Sequence, residues 1–113
     1  MVLDISTING TTTIVLVRRF DSENVPTIEN ELKTVIEEHP AGVIFDFSRT
    51  EYIASAGMRV LLSTTRTIMK AGGKVALSSL SPQVKQVFEI AGFTKIFSIF
   101  GTRDEALANL QKK

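Results

Sequence analysis

Residues 43–62, VIFDFSRTEYIASAGMRVLL, change from the pattern of a buried strand to the pattern of a helix. Val43–Phe45 and Phe47 form an apolar run that only Asp46 interrupts, which is typical of a central strand covered on both faces of a parallel sheet. Further along, buried-type residues recur at helical spacing, at Met58, Leu61, Leu62, Thr65, Ile68 and Met69. The stretch therefore predicts a strand, a polar turn and a helix that opens at residues 55–57.

The segments before this stretch predict a hairpin and one helix. Asn9-Gly10 lies between two apolar runs, which is the strongest short-range signal for a β-hairpin. We expect its antiparallel strands at about Val2–Ile8 and Thr12–Arg18. A helix follows with Asn24 as its N-cap and Pro26 in its first turn, and Pro40 ends it. Its expected buried stripe consists of Val25, Ile28, Leu32, Val35 and Ile36.

The segments after it predict two more strands and two more helices. We expect strands at Lys74–Ser78 and Ile96–Phe100. Ser81 is the candidate cap of the third helix, and Thr102 with Glu105 forms a capping box before the fourth. The expected buried positions are Val84, Val87, Phe88 and Ala91 in the third helix, and Ala106, Leu107 and Leu110 in the fourth. Strands that alternate with helices after a hairpin predict an α/β fold with a mixed, mostly parallel sheet of about five strands and four helices.

The overall composition limits the class of protein. The chain has 113 residues, 43% of them hydrophobic, and a net charge of +1, so we expect one globular domain, 1–113, with a core of ordinary size. The near-neutral charge does not favour a nucleic acid or a membrane surface as a partner. Cysteine is absent and no apolar run approaches the ~20 residues of a membrane-spanning helix. We therefore expect a cytoplasmic protein without nucleic-acid partners or direct membrane insertion.

The strand-to-helix stretch resembles the signature of STAS domains, a family named for sulfate transporters and anti-sigma factor antagonists. The family pattern is an apolar strand that ends in Asp, an aromatic-aliphatic pair, a small residue, Ser, a small residue, Gly and an apolar helix. Here those positions are Asp46, Tyr52-Ile53, Ala54, Ser55, Ala56, Gly57 and Met58 onward. The similarity extends to Phe20-Asp21, to 91–97 and to 102–107, and so covers nearly the whole chain. It implies a single-domain STAS-like fold.

Ser55 has two interpretations. From its position alone it is a helix cap, or a small residue where helix meets sheet. The resemblance implies that it is the phosphorylation site, because anti-sigma factor antagonists are phosphorylated on the Ser at this place. A phosphate there would lie at the positive end of the helix dipole, and its roughly −1.5 to −2 charges would disrupt a partner-binding surface.

The resemblance also implies a partner-binding surface around Ser55. It would consist of Asp21, Ala54, Ser55, Ala56, Gly57, Met58 and Arg59. Asp21 is otherwise a turn former, and Arg59 is either a solvated residue or a partner for a phosphate on Ser55. Asp46 is a possible supporting residue, because open α/β sheets carry functional groups at strand ends, or it caps loop N–H groups.

Two positions depart from the family pattern. The best-studied antagonists carry Asp immediately before the phosphorylated Ser, where this chain has Ala54. The kinase that recognises such antagonists would therefore meet no carboxylate there. Arg18 stands where the family often has Gly, and it places a charge beside the Asp21 loop.

Catalytic patterns are missing from the sequence. His39 is the single histidine and stands at the end of the first predicted helix, so a Ser-His-Asp triad with Ser55 is not favoured. The segment 54–57 lacks the first Gly of a nucleophile elbow. No Cys and one His leave no zinc-type ligand cluster, and 71–74 lacks the spacing of a phosphate-binding loop. We expect no enzyme, no metal and no cofactor.

The resemblance implies a non-enzymatic switch in transcription regulation and stress response. The unmodified protein would bind an anti-sigma factor that is also a serine kinase of the histidine-kinase-like ATPase type, and thereby free a sigma factor. The kinase would phosphorylate Ser55 and end the interaction, and a phosphatase would reset it. The alternative is a STAS-type structural or regulatory subunit of a membrane transport ATPase without a phosphoswitch. A small serine hydrolase is the remaining rival.

Overall fold

The computed structural model describes residues 2–111. Within that range the chain forms seven strands, four α-helices and one 3-10 turn. The strands are β1 (Asp4–Ile8), β2 (Thr11–Val15), β3 (Arg19–Phe20), β4 (Gly42–Asp46), β5 (Tyr52–Ile53), β6 (Lys74–Ser78) and β7 (Ile99–Phe100). The helices are α1 (Val25–Glu37), α2 (Ser55–Lys70), α3 (Pro82–Ile90) and α4 (Arg103–Leu110), with the 3-10 turn at Phe93–Lys95.

Five strands form the main sheet in the order β1-β2-β4-β6-β7. β1 is antiparallel to β2, and every other neighbouring pair is parallel. Asn9 and Gly10 connect β1 to β2 with φ angles of 51° and 82°, the left-handed values that a tight two-residue hairpin turn requires. The predicted hairpin and the predicted mixed, mostly parallel sheet are both confirmed.

The central strand β4 is buried on both faces, as its apolar run predicts. Val43 and Phe45 point into the main core, which they share with α1, α2 and α3. Ile44 points the other way and packs with Ala76 and Ala106 under α4. The alternation arises because successive side chains of a strand point to opposite faces. The sheet thus carries three helices on one face and α4 on the other.

The helix assignments are confirmed, and most of the expected buried positions lie inside. Ser81 Oγ accepts a hydrogen bond from Val84 N at 3.2 Å, and Thr102 Oγ1 accepts one from Glu105 N at 3.1 Å, so both predicted caps are present. Asn24 occupies the N-cap of α1 without a side-chain cap bond. The exceptions on the surface are Met69 in α2, Val87 in α3 and Ala91 after it, and Val60 is buried without having been expected.

Three predicted strands are shorter than expected because their neighbours end. β1 begins at Asp4 instead of Val2, and the partner of Asp4 is Val15, the last residue of β2. β2 stops at Val15, whose partner is Asp46, the last residue of β4. The chain then leaves the sheet instead of continuing to Arg18. β7 contains Ile99 and Phe100 alone, opposite the last two residues of β6. Residues 93–97 form a helical turn instead of a strand, in which Phe97 N donates a hydrogen bond to Phe93 O at 3.0 Å.

No helix within residues 2–111 is long and apolar enough to cross a membrane.

Candidate functional site

Two short strands outside the main sheet bring the Asp21 loop beside Ser55. β3 and β5 pair in parallel, with Arg19 opposite Tyr52 and Phe20 opposite Ile53. Parallel strands end at the same edge, so the residues that follow them emerge together. Ala54 N donates a hydrogen bond to Phe20 O at 2.9 Å, which extends this pairing by one residue. Residues 54 and 55 are therefore fixed next to the start of the Asp21 loop.

Side chains on the outside of this strand pair hold it together. Arg18 and Glu51 form an ion pair, and Arg18 O accepts hydrogen bonds from Glu51 N at 2.7 Å and Tyr52 N at 3.2 Å. The guanidinium of Arg19 lies 4.6 Å from the centre of the Tyr52 ring, a cation–π distance. The charge of Arg18 beside the Asp21 loop, expected from the sequence, is thus neutralised by Glu51.

Gly57 sets how closely α2 approaches β3. A Cβ at this position would lie 2.8 Å from Phe20 O and 2.9 Å from Phe20 Cγ. Such distances are not tolerated in a packed interior, so a side chain would push the helix away. Gly57 and Met58 are both buried. Of the expected partner-binding residues, these two support the site from inside and present no surface for contact.

Ser55 is the first residue of α2, and its side chain is exposed. Ala54 occupies the N-cap position, with φ −90° and ψ 167°, and offers no side-chain acceptor. Ser55 is therefore not the cap that position alone suggested. The hydroxyl has no hydrogen-bond partner among residues 2–111. It is free to react or to be contacted at the end of a helix whose first N–H groups have no partner within the helix.

Asp21 is engaged in the turn that starts α1. Its Oδ1 accepts hydrogen bonds from Glu23 N at 3.1 Å and Asn24 N at 3.3 Å. Its Oδ2 lies 3.7 Å from Nε of Arg19. In return, Asp21 N donates to Asn24 Oδ1 at 3.0 Å. These contacts confirm the turn-forming interpretation, and they hold the half-buried carboxylate in the turn before α1.

The rest of the expected surface lies at the start of α2. Ala54 and Ala56 flank Ser55 and are half-buried, and Arg59 is exposed one helical turn further on. Small side chains on both sides of the hydroxyl leave it accessible to a flat partner surface. The accessible part of the site therefore consists of Asp21, Ala54, Ser55, Ala56 and Arg59.

Asp46 belongs to a separate structure at the carboxyl end of β4. Its Oδ1 accepts a hydrogen bond from Ser48 N at 2.8 Å, and its Oδ2 accepts from Arg103 Nε at 3.0 Å and from Arg103 Nη2. Burial acts to raise the pKa of this carboxyl, but the bonds from Arg103 and Ser48 outweigh it and hold the pKa below its ordinary value of 3.8. The loop-capping interpretation is confirmed. Sequence reasoning missed Arg103 because 57 residues separate the two partners.

The described part of the chain contains no group of three His, Cys, Asp or Glu side chains arranged to hold a metal ion.

The family model for the STAS domain matches residues 3–106. The chain belongs to the STAS domain family. A curated relative is BtrV of Bordetella bronchiseptica, named as a candidate anti-sigma factor antagonist, which is 36% identical over 88 residues that cover 78% of this chain and 76% of BtrV.

Solved structures of the family share the whole fold. A candidate anti-sigma factor antagonist from Thermotoga maritima superimposes with a TM-score of 0.90 at 18% identity, over 97% of this chain and 95% of that one. The anti-sigma factor antagonist SpoIIAA in its unphosphorylated form gives 0.81 at 23% identity, over 96% of each chain. The phosphorylated form of SpoIIAA from Bacillus gives 0.73 at 22% identity, over 96% of this chain and 99% of that one.

The comparisons confirm the STAS resemblance and the single-domain α/β fold drawn from the sequence. Anti-sigma factor antagonists are regulatory binding proteins. The similarity of this chain to them confirms the expectation that it is not an enzyme.

Proposed function

We propose that this protein is an anti-sigma factor antagonist that phosphorylation of Ser55 switches off. The observation that carries the proposal is the exposed, unbonded hydroxyl of Ser55 at the first position of α2, held beside the Asp21 loop by the β3–β5 pair. The names of the STAS relatives supply the class of partner. In its unmodified form the protein binds an anti-sigma factor and thereby frees a sigma factor.

The binding surface consists of the accessible site residues defined above. Its centre carries small side chains, because Ala54 and Ala56 flank Ser55. A partner can therefore pack closely over the hydroxyl and shield it from water. A phosphate at this point adds roughly −1.5 to −2 charges and three acceptor oxygens. Buried under a partner, that charge would be costly unless it were paired, so the complex dissociates while the fold stays intact.

The phosphoryl donor is ATP bound by the partner, an anti-sigma factor with serine-kinase activity of the histidine-kinase-like ATPase type. The Ser55 hydroxyl oxygen attacks the γ-phosphorus, ADP leaves, and the hydroxyl proton passes to a base of the kinase. The antagonist supplies a positioned nucleophile and needs no cofactor of its own. A phosphatase that hydrolyses the phosphoserine resets the switch. All of these partners act in the cytoplasm.

A second candidate function follows from Ala54. The chain lacks the carboxylate that the best-studied antagonists carry immediately before the phosphorylated Ser. That absence favours a STAS-type subunit of a membrane transport ATPase, which uses the same surface without a phosphoswitch. The two functions differ in one measurable property, namely whether Ser55 carries phosphate in the cell.

The deciding experiment measures phosphate on the Tyr52–Arg59 peptide. The wild-type protein, Ser55→Ala and Ser98→Ala are isolated from the native host during growth and under stress, with and without phosphatase treatment. Ser98 is the control, because it is another exposed serine and lies outside the proposed partner-binding surface. We expect phosphatase-sensitive phosphate in wild type and in Ser98→Ala, and none in Ser55→Ala.

The same proteins are then combined with each of the host's serine-kinase anti-sigma factors, produced singly. Ser55→Ala should bind one of them as tightly as wild type does, and Ser55→Asp should bind more weakly, although one carboxylate imitates phosphate poorly. Full phosphorylation of Ser55→Ala would refute the site. Absence of phosphate under every condition, together with co-purification of an ATPase subunit that Ser55→Asp leaves unchanged, would establish the transport function instead.

A further inference from the structure

The exposed face of α2 carries a row of positive charges in line with Ser55. An α-helix turns by about 100° per residue, so residues at positions 1, 5, 12 and 16 of α2 fall within an arc of about 60°. These residues are Ser55, Arg59, Arg66 and Lys70, and all four are exposed. At ~1.5 Å per residue the row is about 22 Å long. We call Arg59, Arg66 and Lys70 the basic stripe.

The charges of the basic stripe are not neutralised within the protein. α2 contains no Asp or Glu, and none of the three stripe residues has an ion-pair partner among residues 2–111. The whole chain has a net charge of only +1. Three positive charges on one face therefore mean that the remaining surface is net negative. The near-neutral net charge, which does not favour a charged partner, therefore gives no sign of this local excess of positive charge.

The stripe also has a shape that can receive a partner. A groove of about 270 Å³ runs along it and is lined by Arg59, Leu62, Ser63, Arg66, Thr67 and Lys70. The half-buried Leu62 gives the groove an apolar floor between the cations. On the α1 side lies a second groove of about 340 Å³ whose charged lining residues are Glu29, Lys33 and Glu37. The net charge of this lining is negative, opposite in sign to that of the groove along the basic stripe.

We propose that the basic stripe is the second half of the partner-binding surface and docks an acidic segment of the anti-sigma factor. This inference rests on the proposed function and deepens it. Charge complementarity selects an acidic segment about 16 Å long, the distance along α2 from Arg59 to Lys70 at ~1.5 Å per residue. The row is continuous with the proposed site, because it begins at Ser55 and Arg59, which already belong to that site. The same anti-sigma factor is therefore the partner that the stripe would contact. Arg66 and Lys70 lie about three and about four helical turns from Ser55, and they determine which anti-sigma factor is bound.

The stripe gives phosphorylation a second means of weakening the complex. A phosphate on Ser55 is one helical turn from Arg59, within reach of a charge-assisted hydrogen bond. The phosphate would then repel the acidic segment and also withdraw Arg59 from it. Since the Debye length is about 10 Å at 0.1 M salt, the effect on Arg59 is strong and the effect on Lys70, at the far end, is small.

The test compares charge reversal inside and outside the stripe. The variants are Arg66→Glu/Lys70→Glu, the milder Arg66→Gln/Lys70→Gln, and the control Lys85→Glu/Lys95→Glu, which changes the net charge by the same amount at exposed positions elsewhere. The probe is the recombinant serine-kinase anti-sigma factor identified above. Association and dissociation rates are measured at 50 and 300 mM KCl, and circular dichroism checks that each variant is folded.

We expect the stripe reversal to raise Kd at least tenfold at 50 mM KCl, mainly through a slower association rate, as electrostatic steering requires. The Gln variant should fall between wild type and the reversal, the control should stay within twofold, and the differences should shrink at 300 mM KCl.

Two outcomes would overturn the inference. In the first, the stripe reversal and the control bind alike, while Ser55→Asp still weakens binding; the proposed function then stands without the stripe. In the second, the reversal abolishes self-association or adsorption to vesicles of anionic phosphatidylglycerol and leaves kinase binding unchanged. Failure of the proposed function itself looks different, because Ser55→Asp then has no effect on the kinase at all.

Discussion

Ala54 N donates a hydrogen bond to Phe20 O at 2.9 Å, and this backbone contact extends the β3–β5 pairing that joins the two loops of the candidate site. Phe20 is completely buried and Ala54 precedes the exposed Ser55. The contact therefore fixes the position of the Ser55 hydroxyl relative to the core. The Asp21 loop follows Phe20 directly, so any change that moves Phe20 relative to α2 should disturb both loops together.

Gly57→Ala should separate the two loops and lower stability. The added Cβ would lie 2.8 Å from Phe20 O, a backbone atom that cannot move alone. Overpacking of this kind costs about 1–3 kcal/mol. Urea denaturation measures the loss, and amide chemical shifts of residues 20–21 and 54–55 report the displacement. We also expect weaker binding of the anti-sigma factor.

Gly101→Ala is the matched control for that substitution. Its added Cβ would approach only Glu105 Oε1, at 3.3 Å, the far end of a flexible side chain. The free energy of unfolding should change by no more than about 0.5 kcal/mol. If both variants were equally stable, close packing of α2 on Phe20 would not be what positions Ser55.

The main sheet and the helices could be predicted from sequence because their signals are local. The Asn9-Gly10 turn, the apolar run of β4 and the capping box at Thr102 each lie within a few residues of the structure they specify. The pair β3–β5 could not be predicted in the same way. Two-residue strands are too short to show a period of two, and their pairing joins segments about 33 residues apart.

At the candidate site, too, some features could be predicted from the sequence and others depended on contacts that the sequence does not reveal. The resemblance pointed to Ser55 and Asp21, and the structure places Asp21 directly after β3 and Ser55 two residues after its partner strand β5. Which residue caps α2 depends on where the helix begins, and helix ends are the least certain feature of a sequence pattern. The role of Asp46 depended on Arg103, a residue whose sequence position gives no indication of its partner.

Arg103→Ala should be more destabilising than its exposure suggests. Half of the Arg103 side chain is in solvent, but the Asp46 side chain that it bonds is only 3% exposed. Removal of one partner leaves a buried carboxylate whose remaining side-chain hydrogen bonds come from Ser48. Loss of one partner from a fully buried pair costs about 3–5 kcal/mol. Since this pair is half exposed on one side, we expect about 2 kcal/mol at pH 7, measured by urea denaturation.

The loss should depend on pH in a defined direction. In the wild-type protein the pKa of Asp46 is below 3.8, so its contribution to stability is full above that value and is lost as the pH falls through the folded-state pKa. Without Arg103, burial acts with less opposition and the pKa rises. The stability difference between the two proteins should therefore shrink below about pH 4.

Arg49→Ala is the control, because it removes an exposed ion pair with Asp4. It should lower the free energy of unfolding by no more than about 1 kcal/mol. A difference that stayed constant down to pH 3 would contradict this account of Asp46.

Phosphorylation of Ser55 should change the surface and leave the core unchanged. The side chain is exposed and its hydroxyl bonds to nothing within residues 2–111, so the phosphate displaces no structural contact. In a heteronuclear correlation spectrum, amide shifts should move at residues 20–21 and 54–59. The amides of β4 and β6 should stay in place. Large shifts in those two central strands would mean that the switch acts by refolding and not by changing the partner surface.

Ala54→Asp should stabilise the protein and change its recognition by the kinase. Ala54 occupies the N-cap of α2 with extended backbone angles and no side-chain acceptor, and Ala is among the poorest residues at that position. An Asp there can accept a hydrogen bond from N–H groups of the first turn and adds a favourable charge at the helix N-terminus. We expect a gain of about 1 kcal/mol in the free energy of unfolding.

Ala54→Asn separates the effect of the cap from the effect of the charge, because it supplies the cap without the charge. If the missing carboxylate matters to the kinase, the rate of Ser55 phosphorylation should rise in the Asp variant and stay at the wild-type level in the Asn variant. Equal phosphorylation rates in all three proteins would show that the kinase does not require a carboxylate before Ser55. Ala54 would then be compatible with phosphorylation of Ser55.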